Sequence, residues 1–524
     1  MSSRPSSAPP EKPGKGTASN LFLDARARIA EVRKLRKSGQ LARAIAVCEA
    51  LVKDHPTFLA ALQLLGQMQM EKQNYWVSLT LYIQAAMLNP RDAGILAGMS
   101  NVFLRLGANK LAAQTMRQAP AEDLEGKDPN VHLTLGQIYR KEQEFDLAAT
   151  SYTRALELDA SQVWAAYGLG LSHYAQGRMK EAATALQRAQ QLKPGIPHVL
   201  YTLGQLPASV VDINLLGAVD LARQINTSRN DEVLRCLGLA RAAALNALGR
   251  HKEAWDELVQ ANLRQDLQFA ADWEGNVRKL RQSRRQAENL AALDKKQIPI
   301  SDEAPMSLFI LGPSRCGKTS LERLIGTVEG VKCGYESQVL RRAIQQAFQK
   351  SELPIMERLS DLPRRFQKKF SGIYAADLRD RAGKAVAFTS TNPGSVHDVG
   401  AAALLVPNCK FIFVKRDRYD TAFRMFGKNY EKNRNRYASN LGRSLHYIDW
   451  YYELVGIWSK MLPDRTLIVD YEDMVADPAA TLARVTKFCG LAMPAEPVPQ
   501  PGDDRGCSAP YRAFIDAAAL RSGA

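Results

Sequence analysis

The sequence lacks most of the features that would assign a compartment or a scaffold directly. Its seven cysteines are scattered, with no C-x-x-C pair, so we expect neither a disulfide framework nor a zinc site, and a reducing compartment fits. No apolar run approaches the ~18 residues that a membrane-spanning helix needs, which predicts no membrane span. Residues 1–20 hold no apolar segment of the kind found in secretory signals, and their Ser, Pro and Gly content predicts a disordered tail.

Negative charge is also scarce relative to positive charge. The 70 Lys and Arg residues outnumber the 54 Asp and Glu residues, which leaves a formal net charge of +16. This balance favours anionic partners such as nucleotides, acidic polysaccharides, acidic peptides or nucleic acid, and charge alone does not choose among them. The length of 524 residues, with 46% apolar and 24% charged residues, is typical of a multidomain soluble globular protein.

The first half of the chain does contain a period. Gly136, Gly170 and Gly204 follow one another at a spacing of 34 residues, and each lies in a predicted pair of helices with small residues at the close contacts. The pattern resembles the tetratricopeptide repeat, with about five units and weaker repeats after them. We therefore predict an all-α solenoid over 21–286, followed by a linker over 287–304.

The repeats admit two interpretations. Stacked repeats form a concave surface that binds a peptide or protein, or they only extend and orient the other domain. Four aromatic residues at helical spacing in this region are predicted to lie in the core: Trp76, Tyr82, Tyr152 and Trp164.

A phosphate-binding motif opens the second half of the chain. Residues 312–319 fit G-x-x-x-x-G-K-[ST], with an apolar strand before them and a short amphipathic helix after them. Backbone N–H groups at such a helix start point at a phosphate, and lysine and arginine side chains add positive charge. The residues predicted to hold the phosphate are Ser314, Arg315, Cys316, Gly317, Lys318, Thr319 and Ser320.

The loop alone allows two kinds of ligand. In a nucleoside triphosphatase, Thr319 would bind Mg²⁺, and Asp470, at the end of the strand "TLIVD", would complete the site. In the other interpretation the loop holds a different phosphorylated nucleotide without a metal.

Two further segments choose between these ligands. "KFIFVKRDRYDTAFRMF" is a strand followed by Arg416 and a helix, and "TLIVDYEDM" is a strand followed by Tyr471. In this order the three segments resemble the sulfotransferase family, whose members carry a P-[RK]-[ST]-G-T-T loop, an R-D-x-x-D segment and a Y-E-D segment. The resemblance covers 305–495 and, with the repeats, is closest to tyrosylprotein sulfotransferases and to bacterial fusions of such repeats with sulfotransferases.

The resemblance implies a fold and a donor. The fold is an α/β domain of the P-loop type with a central, mostly parallel sheet. The donor is PAPS (3′-phosphoadenylyl sulfate), the product is PAP (adenosine 3′,5′-bisphosphate), and no metal takes part. Arg416 matches the family's arginine on the 3′-phosphate, Arg424 stands where the family has a serine on the same phosphate, and Tyr471 joins the donor-binding residues.

The same resemblance assigns catalysis. Glu336 matches the glutamate that removes the acceptor's proton in the tyrosylprotein branch, a role typically worth ~10²–10⁴-fold in rate. Arg315 and Lys318 join it as catalytic residues beside the leaving phosphate. The family's lysine in a K-x-P segment is replaced by Thr391, and the tail 496–524 only faintly resembles the family's last cofactor-binding loop.

The sequence therefore predicts a cytoplasmic PAPS-dependent sulfotransferase that moves a sulfuryl group to a hydroxyl, with a repeat arm that recruits a protein or the acceptor. The acceptor stays open among tyrosine, sugar and lipid hydroxyls. The basic segment 427–443 favours an acidic peptide or polysaccharide, and nucleic acid is not expected as a partner. The alternative is a non-catalytic repeat scaffold carrying a degenerate sulfotransferase domain, and a P-loop ATPase or kinase ranks last.

Overall fold

The chain divides into two compact units, Met1–Lys193 and Pro194–Ala524. The computed structural model describes residues 15–226, 230–270, 273–290, 305–348, 364–406, 408–430 and 435–521. Within these ranges, no helix combines the length and the apolar character that a bilayer crossing requires.

In its described part, 15–193, the first unit contains only helices, and most of them pack against the next helix along the chain. The helices are α1 (Lys15–Lys37), α2 (Leu41–Asp54), α3 (Leu59–Glu71), α4 (Tyr75–Leu88), α5 (Ala93–Arg105), α6 (Asn109–Met116), α7 (Ala121–Leu124), α8 (Pro129–Glu142), α9 (Phe145–Leu158), α10 (Val163–Gln176) and α11 (Met179–Leu192).

Buried tyrosines packed against glycines hold these helices together. Tyr82 of α4 lies against Gly66 of α3 and Gly98 of α5, and a Cβ atom at Gly98 would come within 2.1 Å of the Tyr82 ring. Tyr152 of α9 repeats the arrangement, because a Cβ atom at Gly168 would lie 2.4 Å from its Cζ atom. Of the glycines in the sequence period, Gly136 also lies against the Tyr152 ring, whereas Gly170 lies against Leu186 and Gly204 against Ala243.

The prediction that all four aromatics lie in the core is wrong for the two tryptophans. Tyr82 and Tyr152 are buried, whereas Trp76 is 72% exposed and Trp164 is 47% exposed. Six residues separate Trp76 from Tyr82, which is about 240° around a helix, so the two side chains occupy different faces of α4. Helical spacing alone does not tell which face a neighbouring helix covers.

The second unit begins with five helices that continue the repeat-like pattern. Trp450 donates from Nε1 to the carbonyl of Leu280 at 2.9 Å, and the Trp255 ring stacks on Phe514, so these helices pack with the rest of the unit. The domain limits proposed from the sequence remain predictions. The five helices are α12 (Pro197–Leu203), α13 (Leu215–Ile225), α14 (Asp231–Ala247), α15 (His251–Ala270) and α16 (Trp273–Leu290).

A five-stranded sheet forms the centre of the second unit. All neighbouring strands pair in parallel, in the order β2-β3-β1-β4-β5, which confirms the predicted α/β domain with a parallel sheet after a helical solenoid. The strands are β1 (Met306–Leu311), β2 (Val331–Lys332), β3 (Ala387–Ser390), β4 (Cys409–Lys415) and β5 (Thr466–Asp470).

Helices cover both faces of this sheet. Along β1 the side chains alternate: Leu308 and Ile310 pack with α17, α23 and α24, while Phe309 and Leu311 pack in a core that includes α18, α19, α20 and α22. Because helices cover both faces of the sheet, β1 can carry apolar side chains on both of its faces. The helices are α17 (Lys318–Ile325), α18 (Val339–Phe348), α19 (Arg364–Ala382), α20 (Val399–Leu405), α21 (Arg418–Phe426), α22 (Leu441–Met461), α23 (Tyr471–Ala476), α24 (Pro478–Cys489) and α25 (Arg512–Arg521).

Replacing Gly98 by alanine tests the tyrosine–glycine contact. The added methyl group overlaps the buried Tyr82 ring, so we expect Gly98→Ala to lower the free energy of unfolding by about 2 kcal/mol in chemical denaturation. Gly456→Ala is the control, since a Cβ atom at this helical glycine meets open space. Equal stability of Gly98→Ala and wild type would show that the contact is looser than described.

Candidate active site

The parallel sheet gathers the candidate residues at the carboxyl ends of its strands. β1 leads into the loop 312–317, β4 ends beside Arg416, and β5 ends beside Tyr471. Because β1, β4 and β5 are consecutive in the strand order, these three segments meet at one edge of the sheet, where open α/β folds bind ligands.

The loop 312–317 curls at two left-handed residues. Arg315 has φ of 69° and Gly317 has φ of 102°. A Cβ atom at Gly317 would lie 2.4 Å from Cδ2 of Tyr471, so this position admits only glycine. The loop delivers the chain into the first turn of α17, where unpaired backbone N–H groups favour an anion.

Lys318 supports this loop from within. Its side chain is buried, and Nζ donates to the carbonyls of Gly312 at 2.9 Å and Pro313 at 2.7 Å. Burial raises the pKa of the Cys316 thiol, so it stays protonated and fills space beside the loop. Of the two following positions, Thr319 is exposed and Ser320 is half-buried.

Arg416 joins the loop to the C-terminal part of the chain. Its guanidinium is buried and donates to the carbonyl of Arg315 at 3.2 Å and to the carbonyl of Asp504 at 2.8 Å. The same group lies 4.3 Å from the centre of the Tyr471 ring, a cation–π contact. The arginine after β4 is therefore in direct contact with the phosphate-type loop after β1.

Three of the predicted donor-binding residues converge on one carboxylate. Asp504 receives Nη2 of Arg416 at 3.0 Å, Nε of Arg424 at 3.0 Å and the hydroxyl of Tyr471 at 2.5 Å. Burial alone would raise the pKa of the Asp504 carboxyl, but Arg424 and Arg416 hold it below its ordinary value. The arrangement thus stabilises a negative charge at this point.

Asp420 fixes the segment that carries Asp504. Its carboxylate accepts the backbone N–H of Gly506 at 2.6 Å, and the N–H and hydroxyl of Ser508 at 2.9 Å and 2.6 Å. Asp420 is the last residue of the R-D-x-x-D pattern. Its role is therefore to hold the C-terminal segment over the arginine that begins the same pattern.

The turn that carries Glu336 is held from both sides. Tyr335 has φ of 48°, a strained value for a residue with a side chain. Its N–H donates to Oε1 of Glu322 at 2.8 Å, and its carbonyl accepts the N–H of Thr391 at 2.6 Å. Thr391, which replaces the family's lysine, is thus a buried part of the support for this turn.

Glu336 itself is exposed. Its charge is one of those that act on Tyr430, whose hydroxyl donates to Oγ of Ser314 at 2.8 Å. Burial, with a contribution from Glu336, raises the pKa of Tyr430 to about 12. Glu336 therefore acts electrostatically on a tyrosine that is hydrogen-bonded to the loop 312–317.

Sequence reasoning missed three residues of this site. Asp420 belongs to the R-D-x-x-D segment, but the sequence assigned it no role, and nothing in "GDDRG" distinguished Asp504 from an ordinary surface carboxylate. Glu322 is fully buried and also accepts the hydroxyl of Thr389, yet in the sequence it reads as a polar position of an amphipathic helix. Among the residues that the structure describes, no group of three His, Cys, Asp or Glu side chains is arranged to hold a metal ion.

Comparisons with known proteins agree with this architecture. Residues 305–495 match the model of a sulfotransferase family, and residues 133–197 match the model of the tetratricopeptide repeat. The second unit therefore contains a sulfotransferase-family domain. The chain as a whole is a fusion of tetratricopeptide repeats with that domain.

Individual relatives are distant. An uncharacterized protein of Aquifex aeolicus (strain VF5) is 21% identical over 192 residues, which are 35% of this chain and 25% of that protein, so the chain spans about a quarter of that relative's length. Among solved structures, TTC0263, a repeat protein of Thermus thermophilus, is 20% identical over 33% of this chain and 94% of its own, with a TM-score of 0.30. YrrB, a repeat protein with an unusual peptide-binding site, is 19% identical over 36% of this chain and 95% of its own, with a TM-score of 0.25.

Glu322 makes the stability of the second unit depend on pH. Burial raises its pKa to about 7, against the hydrogen bonds from Thr389 and Tyr335, so the folded state keeps a proton that the unfolded state releases. The stabilisation is complete below about pH 4.5 and is lost as the pH rises through 7. We expect wild type to lose about 3 kcal/mol relative to Glu322→Gln between pH 4.5 and pH 8 in chemical denaturation. If the free energy of unfolding changed with pH in the same way in both proteins, the raised pKa of Glu322 would be contradicted.

Proposed function

We propose that this chain is a PAPS-dependent sulfotransferase that transfers a sulfuryl group to a hydroxyl of its acceptor. The observation that supports it most is the convergence of Arg416, Arg424 and Tyr471 on one carboxylate, in contact with the loop 312–317. Such a set of donors suits a phosphate group, because guanidinium groups form strong charge-assisted hydrogen bonds with phosphate oxygens. The loop offers a second anion site at the start of α17.

Two anion sites in contact suit a nucleotide with phosphates at both ends of its ribose. In this proposal Ser314, Arg315 and the backbone of the loop hold the 5′-phosphosulfate, and Lys318, whose Nζ donates to two loop carbonyls, adds its positive charge beside the loop. Arg416 and Arg424 hold the 3′-phosphate, with Tyr471 beside them. PAPS supplies the sulfuryl group, and the chain supplies fixed positive charge for the phosphate that leaves.

Glu336 is the proposed general base. Its exposed carboxylate takes the proton of the acceptor hydroxyl as the hydroxyl oxygen bonds to sulfur and the bond from sulfur to the phosphate oxygen breaks. The strained turn at Tyr335, held by Glu322 and Thr391, fixes the backbone that leads into Glu336. PAP leaves with the charge that Arg315 and Lys318 have stabilised.

The proposal also includes the context of the enzyme. PAPS is made in the cytoplasm, so we place the reaction there. The repeats serve as a surface for a protein or peptide partner, which agrees with the repeat family they match. The acceptor is a hydroxyl compound, and an acidic peptide or polysaccharide suits the net charge of +16.

A non-catalytic scaffold is the second candidate, and one observation favours it. Thr391 stands in place of the family's lysine, is buried, and donates its N–H to the carbonyl of Tyr335. This position therefore adds no positive charge for the transferred group. Turnover of PAPS with a panel of tyrosine peptides and sugars separates the two candidates, because a scaffold releases no PAP above the rate without acceptor.

Calorimetric titration with PAP and with ATP–Mg²⁺ tests the donor. We expect PAP to bind, and Arg424→Ala to weaken its affinity about 10- to 100-fold, because one charge-assisted hydrogen bond to phosphate is lost. Arg418→Ala is the matched control, since Arg418 lies on the same helix and pairs with Asp449. Clear affinity for ATP–Mg²⁺ without affinity for PAP would exclude the proposal in favour of a P-loop ATPase or kinase.

Removing the charge of Asp504 tests whether its carboxylate occupies the place of a phosphate. Asp504→Asn no longer repels an incoming phosphate, so we expect PAP to bind roughly 3- to 30-fold more tightly at fixed ionic strength. Asp503→Asn is the control, because its neighbouring carboxylate pairs with Arg505 at the surface. Weaker binding to Asp504→Asn would mean that this carboxylate instead organises the arginines for the ligand.

A further inference from the structure

The segment 426–430, which begins at the end of α21, links the two proposed anion sites. α21 carries Arg424 just before the segment. At the other end of the segment, the hydroxyl of Tyr430 donates to Oγ of Ser314 at 2.8 Å. The segment therefore connects the helix that carries Arg424 with the tyrosine that contacts Ser314 of the loop 312–317.

A buried arginine from α14 holds this segment. Arg235 is 7% exposed, and its guanidinium donates to Oδ1 of Asn429 at 2.9 Å, to the carbonyl of Lys428 at 3.0 Å and to Oδ1 of Asn262 at 2.9 Å. Arg235 lies in the repeat-like helices, outside the residues 305–495 that match the sulfotransferase family.

Two further groups from the same helices complete the contact. Nδ2 of Asn262, in α15, donates to the carbonyl of Phe426 at 3.0 Å. The backbone N–H of Asn429 donates to the hydroxyl of Tyr201, in α12, at 2.8 Å. Backbone atoms of Phe426, Lys428 and Asn429 are thus all bound by α12, α14 or α15.

The chemistry of Arg235 makes it hard to replace. Its three acceptors are uncharged oxygens, buried at Asn262 and partly buried at Lys428 and Asn429, so loss of the guanidinium leaves acceptors shielded from water without a donor, which is costly. The planar guanidinium reaches three acceptors in different directions at once, which a single lysine ammonium on a flexible stem does poorly.

We propose that Arg235 is a positioning residue for the donor site: by fixing the segment 426–430, it sets Arg424 and the Tyr430–Ser314 contact for the donor nucleotide. The last repeat-like helices then take part in donor binding through this segment. This inference rests on the proposed function, because the donor is the PAPS or PAP of that proposal.

PAP titration of the full-length protein tests the inference. We expect Arg235→Met to raise the dissociation constant of PAP about 10-fold and Tyr430→Phe to raise it about 5-fold. Because both substitutions interrupt the same connection, the double variant should resemble Arg235→Met alone, without a multiplied effect. Independent effects that multiply to about 50-fold would overturn the shared route through 426–430.

Arg241→Met is the matched control for a purely structural role. Arg241 lies on the same helix and pairs with Asp220 and Glu257, so its loss disturbs the packing of α13, α14 and α15 at a different place. We expect it to lower the melting temperature while the PAP dissociation constant changes less than 2-fold. Equal losses of PAP affinity in Arg235→Met and Arg241→Met would reduce Arg235 to a stabilising residue.

Hydrogen exchange without ligand separates this inference from the proposed function. In Arg235→Met we expect faster amide exchange in 312–319 and in 424–430 than in wild type or Arg241→Met. If wild type fails to bind PAP, the proposed function is wrong, and the exchange result alone decides whether Arg235 positions the loop. Unchanged exchange in both segments would overturn the inference whether or not PAP binds.

Discussion

The rest of the site depends on the contacts of one buried group, the guanidinium of Arg416. It ties the carbonyl of Arg315, in the loop after β1, to the backbone and carboxylate of Asp504, and it stacks on Tyr471, which follows β5. A buried cation must have compensating partners. The parallel strand order brings the Arg315 carbonyl and Tyr471 to Arg416, and Asp420 holds the segment that carries Asp504. Loop, C-terminal segment and sheet edge are therefore one electrostatic unit, in which an anion is required and Asp504 provides it.

This constraint gives the site its chemical character. Arginines that meet one carboxylate can meet a phosphate group in the same way, since both present oxygens to the planar guanidinium. The supports of the site come from distant parts of the chain: Asp420 holds the C-terminal segment, Glu322 holds the turn before Glu336, and Arg235 holds the segment after α21. Each supporting side chain is buried and hydrogen-bonded to backbone atoms, so the site is built by polar contacts as much as by apolar packing.

The sequence predicted the parts of the structure that short-range chemistry determines. Strand, glycine loop and helix follow one another around 312–319, and the glycine period of the repeats marks helix contacts, so the fold class was predictable and is confirmed. The partners of Arg416 were not predictable, because Asp504 lies 88 residues away and its neighbourhood carries no motif. Arg235 and Lys428 are 193 residues apart, and a single sequence does not show that residues so far apart are in contact. The roles assigned to Glu336, Arg424 and Tyr471 remain predictions.

A crystal structure of the chain with PAP tests the central claim most directly. The account predicts one nucleotide, with its 5′-phosphate in the loop 312–317 and its 3′-phosphate between Arg416 and Arg424, where the Asp504 carboxylate now lies. A nucleotide that touches only one of these two groups, or that leaves Asp504 bound to both arginines, would contradict it.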